Sequence, residues 1–414
     1  MKFSSTFFIN NRNAFFEEME VNSFLVLLSN DQYPKNGDQK FSFRQQSDLY
    51  YLTGIVQEET SLVLYKDQNQ VCNVFLFLLK PNPLMETWEG KKITKQLAED
   101  ISGISEIFWS KQIDNKIKQI SCTATSIYLL GSEAFSQKTL FNTSHIRFKK
   151  KIKDLYPKLK IKTARPILNS LRLVKSKEEI QIMQKAVDIT NLAFKRVLET
   201  IDVNQSEYEV EAEISYVFSK EGAKGHAYDP IIASGLNACS LHYVKNDSKI
   251  MDGDLVLMDF GANYNYYAAD LSRTIPVNGK FSERQKELYE IVLDVQKKSI
   301  ELFVPGNNID FVNKKTKQWM AESLKKIGLL NSNKTVDDYF PHGTSHFLGI
   351  DVHDVGVKTI DFLSGMVLTC EPGLYIEEEN IGIRIENDIV VGEKPIDLMQ
   401  NTIREIDDIE KYMR

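Results

Sequence analysis

Two pairs of acidic residues sit where apolar, strand-like runs break off, and a buried strand cannot hold a lone carboxylate without a partner for its charge. Residues 255–258 form an apolar run between Asp254 and Gly261 that leads into Asp259, which predicts a buried strand. Asp270 lies in a second short stretch that closes with Arg273, Thr274, Ile275 and Pro276. Paired as an antiparallel hairpin centred on Tyr264 and Asn265, the two stretches set Asp259 directly opposite Asp270. The pattern recurs further on. Glu371 follows the strand-like run 365–370, Glu386 ends Gly382-Ile383-Arg384-Ile385, and their midpoint falls in the polar stretch 377–380, a natural turn. Like charges facing each other across a sheet destabilise it, so two such pairs in apolar strands point to cations between them. One acid of this kind alone reads as an edge or surface residue; the doubled arrangement does not.

Four carboxylates balance two divalent cations, and His346 supplies the one imidazole of the proposed ligand set Asp259, Asp270, His346, Glu371 and Glu386. Water bridging two cations about 3.5 Å apart is readily deprotonated to a nucleophilic hydroxide. Oxygen-rich ligation with a single imidazole suits manganese, with cobalt, iron or zinc also compatible, since softer sites carry thiolates. His342 lies four residues before His346, a spacing found in helical zinc motifs. The intervening Gly343-Thr344-Ser345 lacks the glutamate base of that pattern, and glycine weakens a helix there. His145 and His226 read as structural, with His226 near a loop marked by Gly225 and Pro230.

Several segments together resemble aminopeptidase P, the Xaa-Pro aminopeptidase family. They are Met258-Asp259-Phe260-Gly261-Ala262, Asp270-Leu271-Ser272-Arg273-Thr274, His342-Gly343-Thr344-Ser345-His346, Val352-His353-Asp354, Glu371-Pro372-Gly373-Leu374-Tyr375 and Gly382-Ile383-Arg384-Ile385-Glu386-Asn387-Asp388. Phe43-Arg44-Gln45-Gln46-Ser47-Asp48-Leu49-Tyr50-Tyr51-Leu52-Thr53-Gly54 is similar to part of the N-terminal domain of the same family. The resemblance implies an α/β N-terminal domain over 1–165 and an α+β pita-bread (creatinase/methionine-aminopeptidase-like) catalytic domain over 166–414. It also implies cleavage of peptides with proline at position 2. By resemblance, Glu371 moves the proton from nucleophile to leaving nitrogen, and His242 and His353 stand beside the substrate. His342 and Tyr375 belong to the pocket, and Arg384 with Tyr375 joins a hydrogen-bonded network around the metal carboxylates. Arg384 lies two residues before Glu386 and so on the same strand face. Glu86-Thr87-Trp88-Glu89-Gly90 resembles a segment that approaches a neighbouring subunit's active site, which implies a homo-oligomer, dimer or tetramer. The near alternative is a prolidase acting on Xaa-Pro dipeptides. Further off lie a creatinase-like activity and a non-catalytic binding protein on the same fold.

A chain of 414 residues exceeds what one hydrophobic core usually organises, so two domains are expected, with a boundary near Arg165-Pro166. The early apolar runs 24–28, 62–65, 74–79 and 127–130 alternate with helix-compatible stretches, an α/β pattern. Beyond the boundary, Ser176-x-x-Glu179, Ser206-x-x-Glu209 and Ser282-x-x-Gln285 read as capping boxes. They open helices toward Thr200, Glu221 and Pro305-Gly306. The similar placement of the two acid pairs suggests an internal pseudo-twofold. A net charge of −6 without a dominant basic field argues against a nucleic-acid partner. No apolar run is long enough to span a bilayer, and no signal-peptide core is visible. Cys72, Cys122, Cys239 and Cys370 are scattered and read as buried free thiols, consistent with a cytoplasmic location.

Overall fold

Strands rich in Leu, Ile, Val and Phe, each followed by a polar turn or a helix, set the frame of the first unit. The structure, a computed structural model, describes residues 2–130 and 142–413. It divides into two units, Met1–Leu171 and Arg172–Arg414. The proline expected to mark the domain boundary instead lies in the first turn of a helix, α3 (Arg165–Leu173), where its missing N–H costs nothing. The division between the units falls near the end of that helix.

In the first unit, β1 (Ser23–Leu28), β2 (Ser61–Lys66), β3 (Cys72–Leu78), β4 (Ile107–Trp109), β5 (Ser126–Leu129) and β6 (Lys160–Thr163) form one sheet in the order β4-β3-β2-β1-β5-β6. β1 is antiparallel to β2 and parallel to β5, so the sheet is mixed. The four apolar runs singled out in the sequence are its central strands. Phe24, Leu25, Val26, Leu62, Leu64, Phe77 and Ile127 are fully buried. Helix α1 (Ser5–Glu18) buries Phe7, Phe8, Phe15 and Phe16 and anchors Arg12 to the carbonyls of Leu52 and Ser102 at 2.7 and 2.8 Å. In α2 (Ser144–Leu155), His145 is structural, as expected: its Nε2 meets the Leu28 carbonyl at 3.0 Å.

In the second unit the capping boxes open α4 (Lys177–Thr200), α5 (Glu207–Lys220) and α6 (Glu283–Ile300). In α4, Glu179 accepts from the Ser176 amide at 2.7 Å while Ser176 Oγ accepts from the Glu179 amide at 3.3 Å, two otherwise unpaired donors satisfied at once. α6 stops at Ile300, short of the expected Pro305-Gly306. Turns carry the chain on, Phe303 drops into the core, and proline disfavours helix at Val304. α4 packs on α5, and α6 packs on α7 (Ile309–Lys326). These two helix pairs accompany two antiparallel systems, one for each acid pair.

The first system joins β7 (Ile231–Ser234), β8 (Leu255–Phe260) and β9 (Leu271–Pro276) in the order β9-β8-β7. Its register corrects the expectation. Asp259 faces Ser272, not Asp270, and the turn is Asn265-Tyr266, one residue beyond the expected centre. Both turn residues have positive φ, 46° and 72°, as a type I′ hairpin turn requires. Moving the centre by one residue moves each partner by two, which preserves the face. Asp259 and Asp270 therefore remain on one side of the hairpin, offset diagonally, and the register sets Asp270 opposite Gly261. A Cβ at Gly261 would lie 1.7 Å from the carbonyl oxygen of Ala269, so only glycine admits this crossing.

The second system has two ladders. β10 (Val367–Cys370) pairs with β13 (Asn387–Val390), and β11 (Gly373–Ile376) pairs with β12 (Ile381–Arg384). Both ladders share one register, which sets Glu371 across from Glu386 as expected. Glu377–Glu379 form the turn, closed by Asn380 at φ 54°. Cys370 points away from Glu371 into an apolar cluster with Phe303, Val312, Leu368 and Ile389. The four cysteines are free, but the expectation of general burial fails: Cys72 and Cys122 are exposed and Cys239 is half-buried, because they lie at the start of a strand, the end of a helix and the end of a short 3-10 turn. Among the described residues no helix is long and apolar enough to cross a membrane.

Two outcomes follow. Burial pushes the His145 ring down to about 4, with the Leu28 carbonyl partly offsetting it. An unfolded ring titrates near about 6.5, so between these values the unfolded chain binds more protons, and stability rises with pH and is lost as the pH drops. That one group should cost roughly 3 kcal/mol between about pH 7 and pH 4, and His145→Gln should remove that part of the slope in denaturant titrations of the full chain. Gly261→Ala should destabilise by roughly 3 kcal/mol or more, because backbone must move to admit it. A thermal melt unchanged from that of the parent protein would contradict the crossing geometry.

Candidate functional site

The two hairpins and the His346 segment converge on one cavity of about 460 Å³. Asp259, at the end of β8, Asp270, before β9, His346, Glu371 and Glu386 all line it, as do His242, His342, His353 and Arg384. Asp270, His346 and Glu386 each offer a ligand atom within 4.8 Å of the others. His346 Nε2 lies 3.4 Å from Asp270 Oδ2 and 3.7 Å from Glu371 Oε1. Its Nδ1 meets the Phe347 carbonyl at 3.1 Å, which fixes the tautomer and leaves Nε2 facing the acids.

The backbone ties these groups together across long stretches of chain. The Glu371 amide donates to the Thr344 carbonyl at 2.9 Å, and the Glu386 amide to the Ser272 carbonyl at 3.1 Å. Thus each glutamate is held by a segment carrying another of the candidate ligands.

The side chains form a matching network. Arg384 donates from Nη2 to Asp259 Oδ2 at 2.6 Å, from Nε to Ser272 Oγ at 2.8 Å and from Nη1 to the Tyr375 hydroxyl at 2.9 Å. Ser272 in turn donates to Glu386 Oε2 at 2.7 Å. Tyr375 departs from the expected pocket role. Its ring is buried among Ile231, Ala233, Ala238 and Leu257, so its hydroxyl reaches His342 Nε2, at 2.8 Å, and Arg384 from behind the wall, and the side chain does not line the cavity.

Three contributors lie outside the sequence reading. The Tyr228 hydroxyl bridges the diagonal aspartates, donating to Asp259 Oδ1 at 2.6 Å and also contacting Asp270 Oδ1. Ser272 links Arg384 to Glu386, a link visible only once the register is known. Asp354, beside His353, is buried between Arg172 and Lys175 at 2.5 and 3.0 Å. The ring of His353 stands edge-on to that of His346 with centroids 4.4 Å apart. His226 is structural, bonded to Ser215 Oγ at 2.8 Å.

The electrostatics favour added positive charge. Burial, together with the neighbouring acids, pushes the carboxyls of Asp270 and Glu386 upward, and that of Glu371 up to about 7. His346 is held up at about 9: burial favours its neutral form, but Asp270 and Glu371 outweigh it. His342 and His353 are pushed down to about 4, by burial and by Arg384 and His346 respectively. With only the protein's own charges present, protons and an imidazolium compensate the acids. The donors are oxygens and one imidazole nitrogen, and no sulfur lines the cavity. This set fits hard or borderline divalent cations.

Residues 181–393 match metallopeptidase family M24, and residues 8–128 match the N-terminal domain of aminopeptidase P. The chain is 36% identical to the Xaa-Pro aminopeptidase of Haemophilus influenzae, with 98% of this chain and 96% of that protein covered. It is 34% identical to the Xaa-Pro aminopeptidase of Escherichia coli, with coverage of 98% and 97%. The solved structure of zinc-substituted E. coli aminopeptidase P in complex with product superimposes with a TM-score of 0.90 at 32% identity, covering 100% of this chain and 99% of that one. By fold and by likeness along nearly its whole length, the chain belongs to metallopeptidase family M24, in its aminopeptidase P branch.

Proposed function

We propose that this protein is a metal-dependent Xaa-Pro aminopeptidase, removing the first residue from peptides whose second residue is proline. The observation that carries this reading is the convergence of Asp259, Asp270, His346, Glu371 and Glu386 on a single peptide-sized cavity. Asp259, Asp270, His346, Glu371 and Glu386 would hold two divalent cations, manganese preferred. Held there, such cations supply Lewis acidity, making water more acidic and a carbonyl more electrophilic.

The chain's own groups account for the remaining work. Glu371 faces the cavity beside His346 and accepts the proton of the attacking water, then delivers it to the departing nitrogen. That nitrogen belongs to proline, so the scissile bond offers no N–H and recognition relies on shape. Ile231, Leu241 and Val352 supply apolar wall for this purpose. His353, neutral near pH 7 because its ring is pushed down to about 4, donates a hydrogen bond to the carbonyl oxygen as charge develops on it. His242 does the same from the opposite loop. Arg384 and Tyr228 orient the aspartates and leave bond-making to other groups.

Assays of the manganese-loaded protein should show turnover of Xaa-Pro-Yaa tripeptides and little turnover when alanine replaces proline. Equal rates on both would end this reading, and turnover confined to Xaa-Pro dipeptides would move the protein to the prolidases. Glu371→Gln should fold, retain measurable metal and lose roughly 10²-fold or more in kcat.

We further propose a homo-oligomer. The helix Pro83–Glu89 buries none of its residues and exposes Leu84, Met85 and, at 82%, Trp88, an apolar cluster suited to contact with another subunit. Light scattering should give a mass above that of one chain, reduced by Trp88→Glu. A monomer at assay concentration would refute the interface.

A further inference from the structure

We infer that Glu207 is a positioning residue that fixes the loop presenting His242 to the cavity. The inference rests on the reading of His242 as a donor to the substrate.

Glu207 opens α5 and is fully buried. Five donors converge on its carboxylate. Oε1 accepts from the Ser234 amide and hydroxyl, both at 2.8 Å, and from Asn237 Nδ2 at 3.0 Å. Oε2 accepts from the Tyr243 hydroxyl at 2.7 Å and the Ser248 amide at 3.0 Å. None of these partners carries a charge. A buried carboxylate satisfied by neutral donors at a helix N-terminus draws its stability from hydrogen bonds and the helix dipole. It holds direction as well as charge, because the donors fix the end of β7, at Ser234, and three points of the chain that follows it, at Asn237, Tyr243 and Ser248.

Those points surround His242. Along 241–244, Leu241, His242 and Val244 line the cavity, while Tyr243 turns away from it and packs, with part of Leu241, against the cluster of Ile231, Ala233, Ala238, Leu257 and Tyr375. The anchor at Tyr243 is thus the residue next to His242, and its hydroxyl ends on Glu207. A second anchor closes the loop. Asn246, at φ 50°, accepts from the Ile232 amide at 3.0 Å and donates to the Pro230 carbonyl at 2.9 Å. Cutting the Glu207 anchor leaves His242 on a segment held by Asn246, by packing and by local bonds such as that from the Tyr243 amide to the Ser240 carbonyl at 3.2 Å, with the link from Tyr243 to α5 lost. Hydrogen-bond donation to a developing oxyanion depends on placement, and a displacement of about 1 Å costs up to about 10²-fold.

The test is a double-mutant cycle on the metal-loaded full chain with an Xaa-Pro-Yaa tripeptide. Glu207→Gln keeps the shape but turns an amide N–H₂ toward donors, so it should lower kcat/KM about tenfold with metal content unchanged. His242→Ala should lower it at least as far. In the His242→Ala background, Glu207→Gln should cost less than about twofold further. If Glu207→Gln lowers activity equally in both backgrounds, or not at all in the parent protein, its role is structural only and the inference is overturned. If His242→Ala leaves turnover unchanged while the parent protein cleaves the tripeptide, the role of His242 falls, and that of Glu207 with it. No tripeptide turnover by the parent protein would instead sink the function itself. Should Glu207→Gln fail to fold, Tyr243→Phe deletes one of the five bonds and runs the same cycle, with a loss of a few-fold expected only where His242 is present.

Discussion

Four carboxylates confined in one cavity repel one another, and most of what surrounds them answers that repulsion. Arg384 neutralises Asp259, Tyr228 bridges Asp259 and Asp270, Ser272 donates to Glu386, and His346 stands between Asp270 and Glu371. These partners supply one guanidinium and one imidazolium, which leaves the acids short of positive charge in a poorly solvated place. Cation binding and orderly packing are therefore the same requirement seen from two sides. The two hairpins provide the rigid frame that lets the acids approach without collapsing onto each other.

The acids are readable because each lies at or beside the end of a strand whose apolar run is plain in the sequence, whereas the imidazole of His346 lies in an irregular segment with no period. The second hairpin could be registered from Glu377–Asn380 because an acidic run ending in Asn is an evident turn. The first could not be placed as well. Its turn centres between Asn265 and Tyr266, and tyrosine is a residue type rarely found at positive φ, so the expected centre falls one residue early. Face survived the error and partner identity did not, which is why Ser272 went unseen. Tyr228 lies in an aperiodic loop and its bridging role depends on tertiary proximity alone. Tyr375 was assigned to the pocket by resemblance, and the direction of its ring, which no local pattern encodes, sets it behind the wall. The cysteines were misjudged for a different reason: a thiol's usual burial is a tendency of type, and Cys72 and Cys122 occupy element ends where solvent reaches them.

The histidines show how one residue type takes several roles in one fold. His346 is held up by acids, His342 and His353 are pushed down by burial and nearby cations, and His145 in the other unit is kept neutral by an apolar surround. A neutral ring can donate to a carbonyl without repelling a cation, whereas a protonated one would compete with it. Keeping His342, His346 and His353 in different states around one cavity calls for anchoring such as that at Asp354, where Arg172 and Lys175 fix the chain beside His353.

The bond between Glu371 and the Thr344 segment closes a short stretch of chain, whereas that between Glu386 and β9 joins parts separated by nearly half of the second unit's length. Contacts of such long range form late when a polypeptide folds. A ligand set assembled from segments this far apart exists as a set once the second unit has closed, so a cation held there would stabilise the folded chain over the unfolded one.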